Sequence, residues 1–275
     1  MKKIRLGQNL LEYQEKGQGQ PIIFIHGAFS NQHTWRKIIP ELSKHYRCIV
    51  PNWPFGAHKQ PFSPQADLTP EGITSLIYEF MEALGLEQVT LIANDTGGAY
   101  AQIFTSKYPE KVDQLILSNC EGLEIFPPKK FSSLPKMVQL PGYTRLMAQV
   151  FKRKSLLKIP TTFGLLSNSL NKEDLFDLYA RNFSCNQAIR RDFKRFAIGW
   201  HPKYTQEAAV KLKDFKKPVL VMWGNEDTKL FPVKLGKRIA NIFPNARFVE
   251  IPQAMTYIQE DQPMAMVQEI KGFLA

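Results

Sequence analysis

Residues 91–100 read LIANDTGGAY. The apolar run VTLIAN (89–94) ends at an acidic residue, two glycines follow, and a helix-compatible segment comes next. A short, β-branched apolar run bounded by glycine reads as a buried strand. The stretch from about Gly97 to Tyr108 reads as a helix, so Asp95 falls on the turn between the two.

The same alternation extends in both directions. PIIFIHG (21–27), YRCIVPN (46–52), VDQLILSN (112–119), KPVLVMWG (217–224) and ARFVEIP (246–252) read as further strands. Helices are predicted through TWRKIIPELSKH (34–45), EGITSLIYEFMEALG (71–85), PVKLGKRIANIF (232–243) and most of 262–274. Thr69-Pro70 is a strong helix start, a capping hydroxyl followed by proline in the first turn. Apolar strands alternating with amphipathic helices imply an α/β fold, a mostly parallel sheet with helices on both faces. The alternation stops between Pro127 and Leu212, where the sequence turns helical, basic and loop-interrupted. That block reads as an inserted helical cap, residues 128–211, in a core formed by 1–127 and 212–275. Sites in such sheets form beyond the carboxyl ends of the strands. Gly27, Pro54–His58, Asp95, Glu121 and Asp227 all fall there.

Asp95 admits three readings. The letters D-T-G match the aspartic-protease signature, but that chemistry needs two such aspartates, and this chain has one, on a strand-to-helix turn. An aspartate capping a helix beside a glycine-rich turn is common. In the third reading it is a nucleophile on a sharp, strained elbow. Such a turn needs small residues two positions before and two after, here Ala93 and Gly97, with Gly98 easing the helix's approach.

Other segments favour the elbow. HGAFSNQHTW (26–35) resembles the His-Gly segment that builds the oxyanion hole of α/β hydrolases. WGNEDTKLFP (223–232) resembles the segment that carries their triad acid, and IPQAMTYIQEDQP (251–263) the one after the last strand. The chain is thereby identified as resembling the α/β-hydrolase superfamily over nearly its whole length, least in the helical insertion. An aspartate at the nucleophile position resembles the branch of haloalkane dehalogenases and epoxide hydrolases. The resemblance implies Asp95 as nucleophile, backbone amides of Ala28 and Thr96 as oxyanion hole, and Asp227 or Glu121 as supporting acid. Asn31, Asn94 and Thr256 are expected to touch substrate. With a reference pKa of about 3.9, a carboxylate is ionised at neutral pH and attacks carbon without a base. A base is needed afterwards, for water to hydrolyse the resulting ester.

Three positions depart from the two named activities. Dehalogenases usually carry Trp directly after the nucleophile, where this chain has Thr96, and often Asn after His-Gly, where it has Ala28. Epoxide hydrolases usually carry Pro two residues after that glycine, where it has Phe29. Tyr143, Tyr179 and Tyr204 in the cap are candidates to activate an epoxide oxygen. The largest departure is the base itself. The family's last motif usually reads A-x-H-F or G-H-F; here Ala254-Met255-Thr256-Tyr257 puts Thr256 at the histidine position, and no histidine follows His201. Either another histidine substitutes, with His58 preferred, or only a base-free half-reaction proceeds, or the protein is a catalytically impaired hydrolase fold that binds a small ligand.

Composition narrows the setting. Three scattered cysteines (Cys48, Cys120, Cys185) suggest reduced thiols and a cytoplasmic location, not a disulfide frame or a metal site. The N-terminal segment is too polar for a signal-peptide core, and no apolar run is long enough for membrane insertion. The net charge of +11 is concentrated, with 19 Lys/Arg against 6 Asp/Glu between Lys129 and Lys217. Such a field draws anionic molecules, so the expected partner is a small-molecule substrate, anionic ones included. No nucleic-acid motif is present, and no metal or cofactor is expected.

Overall fold

The computed structural model describes all of residues 1–275. Eight strands form one sheet: β1 (Lys2–Leu6), β2 (Asn9–Lys16), β3 (Pro21–Ile25), β4 (Arg47–Pro51), β5 (Val89–Asp95), β6 (Val112–Cys120), β7 (Val219–Gly224) and β8 (Ala246–Ile251). Their spatial order is β1-β2-β4-β3-β5-β6-β7-β8. β1 with β2 and β2 with β4 pair antiparallel; all other pairs are parallel. This is an α/β-hydrolase fold.

The pleat explains why the central strands are apolar throughout. Ile23, Ile25, Leu91 and Ala93 join the core on one face, while Ile22, Phe24 and Ile92 join the core on the other. Helix Pro70–Ala83 begins as its sequence predicts, the Thr69 hydroxyl accepting from the Gly72 amide at 3.2 Å. One predicted helix is much reduced. Residues 34–45 hold the end of a short 3-10 turn (Gln32–Trp35) and a four-residue helix, Ile39–Leu42. Pro40 falls within that segment, where it lacks the amide hydrogen a continuous helix needs.

The chain leaves the sheet after Cys120 and rejoins it at Val219. Between them run helices that include Tyr143–Lys152, Gln187–Ile198 and Pro202–Leu212. Polar contacts hold this segment to the rest. Asp261 accepts from the Ser167 hydroxyl at 2.6 Å and from the Asn168 and Ser169 amides at 3.1 Å. Asp192 accepts from the Phe62 amide at 2.7 Å. Within the segment, the Thr205 hydroxyl donates to the Leu123 carbonyl at 2.6 Å.

Candidate active site

β5 ends at Asp95 with φ 54° and ψ −138°, a left-handed conformation that L residues adopt only under constraint. Helix Thr96–Lys107 starts at the next residue. The constraint comes from three close approaches. A Cβ on Gly97 would run into the Ile25 carbonyl oxygen, one on Gly98 into the Cys120 side chain, and one on Gly27 into the Asp95 carboxylate. Only glycine lets the helix and the β3 loop approach this near. The strained turn lifts the Asp95 side chain off the strand end and into a cavity.

That cavity has a volume of about 270 Å³, and 13 of its 19 lining residues are hydrophobic. Ala28, Asp95, Thr96 and Glu121 form its polar floor; Leu134, Met147, Phe163 and other residues of the helical segment close it from above. The lining contains no histidine, lysine or arginine.

Burial pushes the Asp95 carboxyl up to about 7. The backbone amides of Thr96 and Ala28 pull it down, and the Asp227 charge adds to the rise. The reference value therefore misleads here: burial keeps part of the Asp95 population protonated at neutral pH. The β5–β6 register sets Asp95 opposite Cys120, which brings Glu121 alongside. Glu121 is 1% exposed. Its Oε1 accepts from the Thr96 hydroxyl at 3.1 Å, while Oε2 has no partner. Burial first, then the Asp95 charge, raises its pKa well above the carboxylate range.

Asp227 does not line the cavity. Its Oδ1 accepts from the amides of Leu230 and Phe231 at 3.0 and 3.1 Å. Its Oδ2 accepts from the Thr256 hydroxyl and from Asn119 Nδ2 at 3.3 Å. Burial nonetheless raises its pKa. Thr256 and Asn94 also lie outside the lining. Asn94 Nδ2 donates to the Thr256 carbonyl at 2.7 Å, and its Oδ1 accepts from Gln259 at 2.9 Å. Asn31 is likewise absent from the lining; it caps the 3-10 turn through the His33 amide and donates to the Leu178 carbonyl. These three side chains cross-link backbone segments beneath and beside the cavity.

Each histidine has its own setting. His58 Nε2 lies 3.2 Å from Asp192 Oδ2, buried under helix Gln187–Ile198, and burial lowers its pKa. His26 donates from Nδ1 to the Gly27 carbonyl and accepts at Nε2 from the Trp53 amide; burial pushes it down to about 3, so it stays neutral. His201 Nδ1 accepts from the Lys203 amide at 3.1 Å, capping helix Pro202–Leu212. His33 is half-buried and His45 exposed.

Two residues escape the sequence reading. The Asn119 side chain grips Gly224 at both ends of its amide, Oδ1 accepting from the Gly224 amide at 2.6 Å and Nδ2 donating to its carbonyl at 3.2 Å, and Nδ2 also reaches Asp227. Its place near the end of a strand was the only available signal. Trp200 lines the cavity with a buried, unpartnered Nε1, and nothing in its helical surroundings marks it. No three His, Cys, Asp or Glu side chains gather as metal ligands.

Comparison with known proteins agrees with this geometry at the level of fold. The profile of the family described as alpha/beta hydrolase fold matches residues 20–263. The chain is 26% identical over 281 residues to a cis-3-alkyl-4-alkyloxetan-2-one decarboxylase of Shewanella oneidensis, covering 97% of this chain and 85% of that one. It is 24% identical over 295 residues to epoxide hydrolase 1 of Caenorhabditis elegans, covering 98% and 69%. Among solved structures, an ancestral haloalkane dehalogenase superposes with a TM-score of 0.81 at 21% identity, over 100% of this chain and 98% of the other.

Proposed function

The chain belongs to the alpha/beta hydrolase fold family, and from that premise we propose that it is a hydrolase in which Asp95 forms a covalent ester with a small, mainly apolar organic electrophile. The observation that carries this reading is Asp95 itself, a strained carboxylate at the floor of an apolar cavity with two backbone amides acting on it. One carboxylate oxygen attacks a saturated electrophilic carbon, displacing a halide, opening an epoxide, or displacing the carboxylate of an ester from its alkyl carbon. The amides of Ala28 and Thr96 hold the other oxygen. When water later adds to the ester carbon, the same amides stabilise the oxyanion that forms. Residues 128–211 act as a cap that supplies the apolar walls and excludes bulk water. A lining without Lys or Arg favours a neutral substrate over an anionic one. Asp227 supports the floor through Thr256 and Asn119 rather than touching substrate. Three free thiols, two of them buried, suit a reducing cytoplasm.

The test is intact-protein mass spectrometry after incubation with haloalkanes, epoxides and esters, with halide and product release followed in parallel. Wild type is expected to gain on Asp95 the mass of the whole epoxide, or of the alkyl group alone from a haloalkane or ester, and Asp95→Asn to gain none. Absence of any adduct and any turnover across the three classes would sink the reading.

A second reading has one specific observation behind it. No histidine lines the cavity, and Thr256, which by motif resemblance falls where the family's base stands, gives its hydroxyl to Asp227. A protein that has lost turnover and binds a small ligand reversibly would look the same. It is distinguished by saturable binding of an apolar ligand with no mass gain at any pH.

A further inference from the structure

We propose that Glu121 is the acid–base partner of Asp95, protonating the oxygen of a strained oxygen ring as Asp95 opens it and then taking a proton from the water that hydrolyses the ester. This inference rests on the Asp95 reading and assigns the step that Thr256 leaves unserved.

Geometry selects Glu121 over the other carboxylates. It is the only carboxyl besides Asp95 among the lining residues. Asp227, Asp192 and Glu260 lie outside that lining. Two contacts fix its position: the Gln102 side chain donates to its backbone carbonyl at 2.7 Å, and the Thr96 hydroxyl to Oε1. Oε2 is left buried with no partner. A buried polar atom is normally paired, so an unpaired one on a cavity wall invites a substrate or water contact. The titratable groups around it are Asp95, Cys120 and Tyr100, with Tyr143 on the same cavity. None is basic. Two carboxyls sharing one cavity do not both ionise readily, and two backbone amides favour the charge on Asp95 where Glu121 has only the Thr96 hydroxyl, so the shared proton rests on Glu121.

The cycle balances with these two groups alone. Asp95 carboxylate attacks a ring carbon, the carbon–oxygen bond breaks, and the ring oxygen takes the Glu121 proton. The site now holds a hydroxyalkyl ester on Asp95 and a Glu121 carboxylate. Esterification has removed the Asp95 charge that opposed ionisation of Glu121. Glu121 then takes a proton from water as the hydroxide adds to the ester carbon. The tetrahedral intermediate collapses, the departing alkoxide takes the remaining water proton from the newly formed Asp95 acid, and diol leaves. Asp95 is again ionised and Glu121 again protonated. A halide needs no proton to depart, so Glu121 favours epoxides over haloalkanes as substrates.

The experiment compares wild type, Glu121→Gln and Asp95→Asn with two probes, 1,2-epoxyhexane and 1-bromobutane. In Glu121→Gln, opening of the epoxide is expected to fall on the order of 10²-fold or more. One bromide per protein is still expected from 1-bromobutane, and the butyl ester should persist where wild type clears it. Wild type should lose epoxide opening as pH rises and Glu121 deprotonates, and that alkaline fall should vanish in Glu121→Gln, an effect that a merely structural role does not produce. Circular dichroism and thermal melts check that the variant folds. Wild-type rates of opening and ester clearance in Glu121→Gln, with Asp95→Asn inert, would overturn this proposal alone. Labelling of Asp95→Asn to the wild-type level, or no labelling of wild type by either probe, would overturn the Asp95 reading and this one with it.

Discussion

Thr256 gives its single hydroxyl hydrogen to Asp227, Oγ1 to Oδ2 at 2.5 Å, beneath the cavity floor. With that hydrogen committed and both residues buried, the pair reads as a structural lock. Replacing Thr256 by Val removes the hydroxyl at nearly constant volume and leaves Asp227 short of one donor. The expected loss is about 1–3 kcal/mol of stability, measured by urea unfolding. Labelling of Asp95 by 1-bromobutane should change less than about threefold, because neither side chain lines the cavity.

The pKa of Asp95 carries a stability consequence whose sign is fixed. Burial holds it at about 7 in the folded protein, above its ordinary value of 3.8. Between those values the folded state binds more protons than the unfolded chain, so stability falls as pH rises through that window. Above 7 the full penalty of a buried charge remains. Asp95→Asn removes it. The variant should melt above wild type by more than about 4 °C at pH 8 and should nearly match it at pH 4, by scanning calorimetry. A variant less stable than wild type at pH 8 would contradict the assigned burial of charge.

The same titration governs reactivity in the opposite sense. Only the ionised carboxylate attacks carbon, so alkylation of Asp95 by 1-bromobutane should climb about tenfold per pH unit on the acid side and level off above about 7. A flat profile from pH 5 to 9 would mean that the reacting group is already ionised throughout.

Much of the fold could be read from residue patterns, and the reasons differ by element. β3, β5 and β7 are buried on both faces, so their apolar runs stand out. Ala93, Gly97 and Gly98 marked the elbow because a sharp turn admits little else. β1 and β2 left no such trace: Lys2, Lys3 and Arg5 crowd the edge strand, and Leu11, Glu12 and Tyr13 are buried in succession without alternation. Motif resemblance named Asp95, Ala28, Thr96 and Glu121, all of which line the cavity. It also suggested Asp227, Asn31, Asn94 and Thr256, which do not. Asn31 and Asn94 tie backbone carbonyls and Thr256 ties Asp227, and pattern alone does not separate a side chain aimed at a ligand from one aimed at another part of the chain. Trp200 comes from the helical segment, whose packing depends on contacts distant in sequence.

Gly97 gives a direct test of the elbow. A methyl group there would press on the carbonyl oxygens of Ile25 and His26, which are backbone and have nowhere to go. Gly97→Ala should force the helix away from β3 and take Asp95 with it. Loss of at least about 2 kcal/mol of stability is expected, together with loss of detectable alkylation in whatever fraction remains folded. Gly272, where an added Cβ meets nothing, is the matched control. Gly272→Ala lies in helix Pro263–Leu274 and should be neutral or slightly stabilising.

His58 separates structure from chemistry most cleanly among the histidines. It stands outside the cavity lining, and its ring nitrogen faces Asp192, which also accepts from Phe62 and pairs with Arg191. Asp192 is 0% exposed, so deleting its imidazole partner leaves a buried carboxylate less compensated. His58→Leu should therefore cost about 2–4 kcal/mol and loosen the contact between the 58–62 loop and helix Gln187–Ile198, read as faster amide exchange at Phe62. Once corrected for the folded fraction, clearance of the Asp95 ester should stay within about threefold of wild type. An ester that accumulates in His58→Leu while Glu121→Gln clears it normally would move the base to His58 and remove it from Glu121.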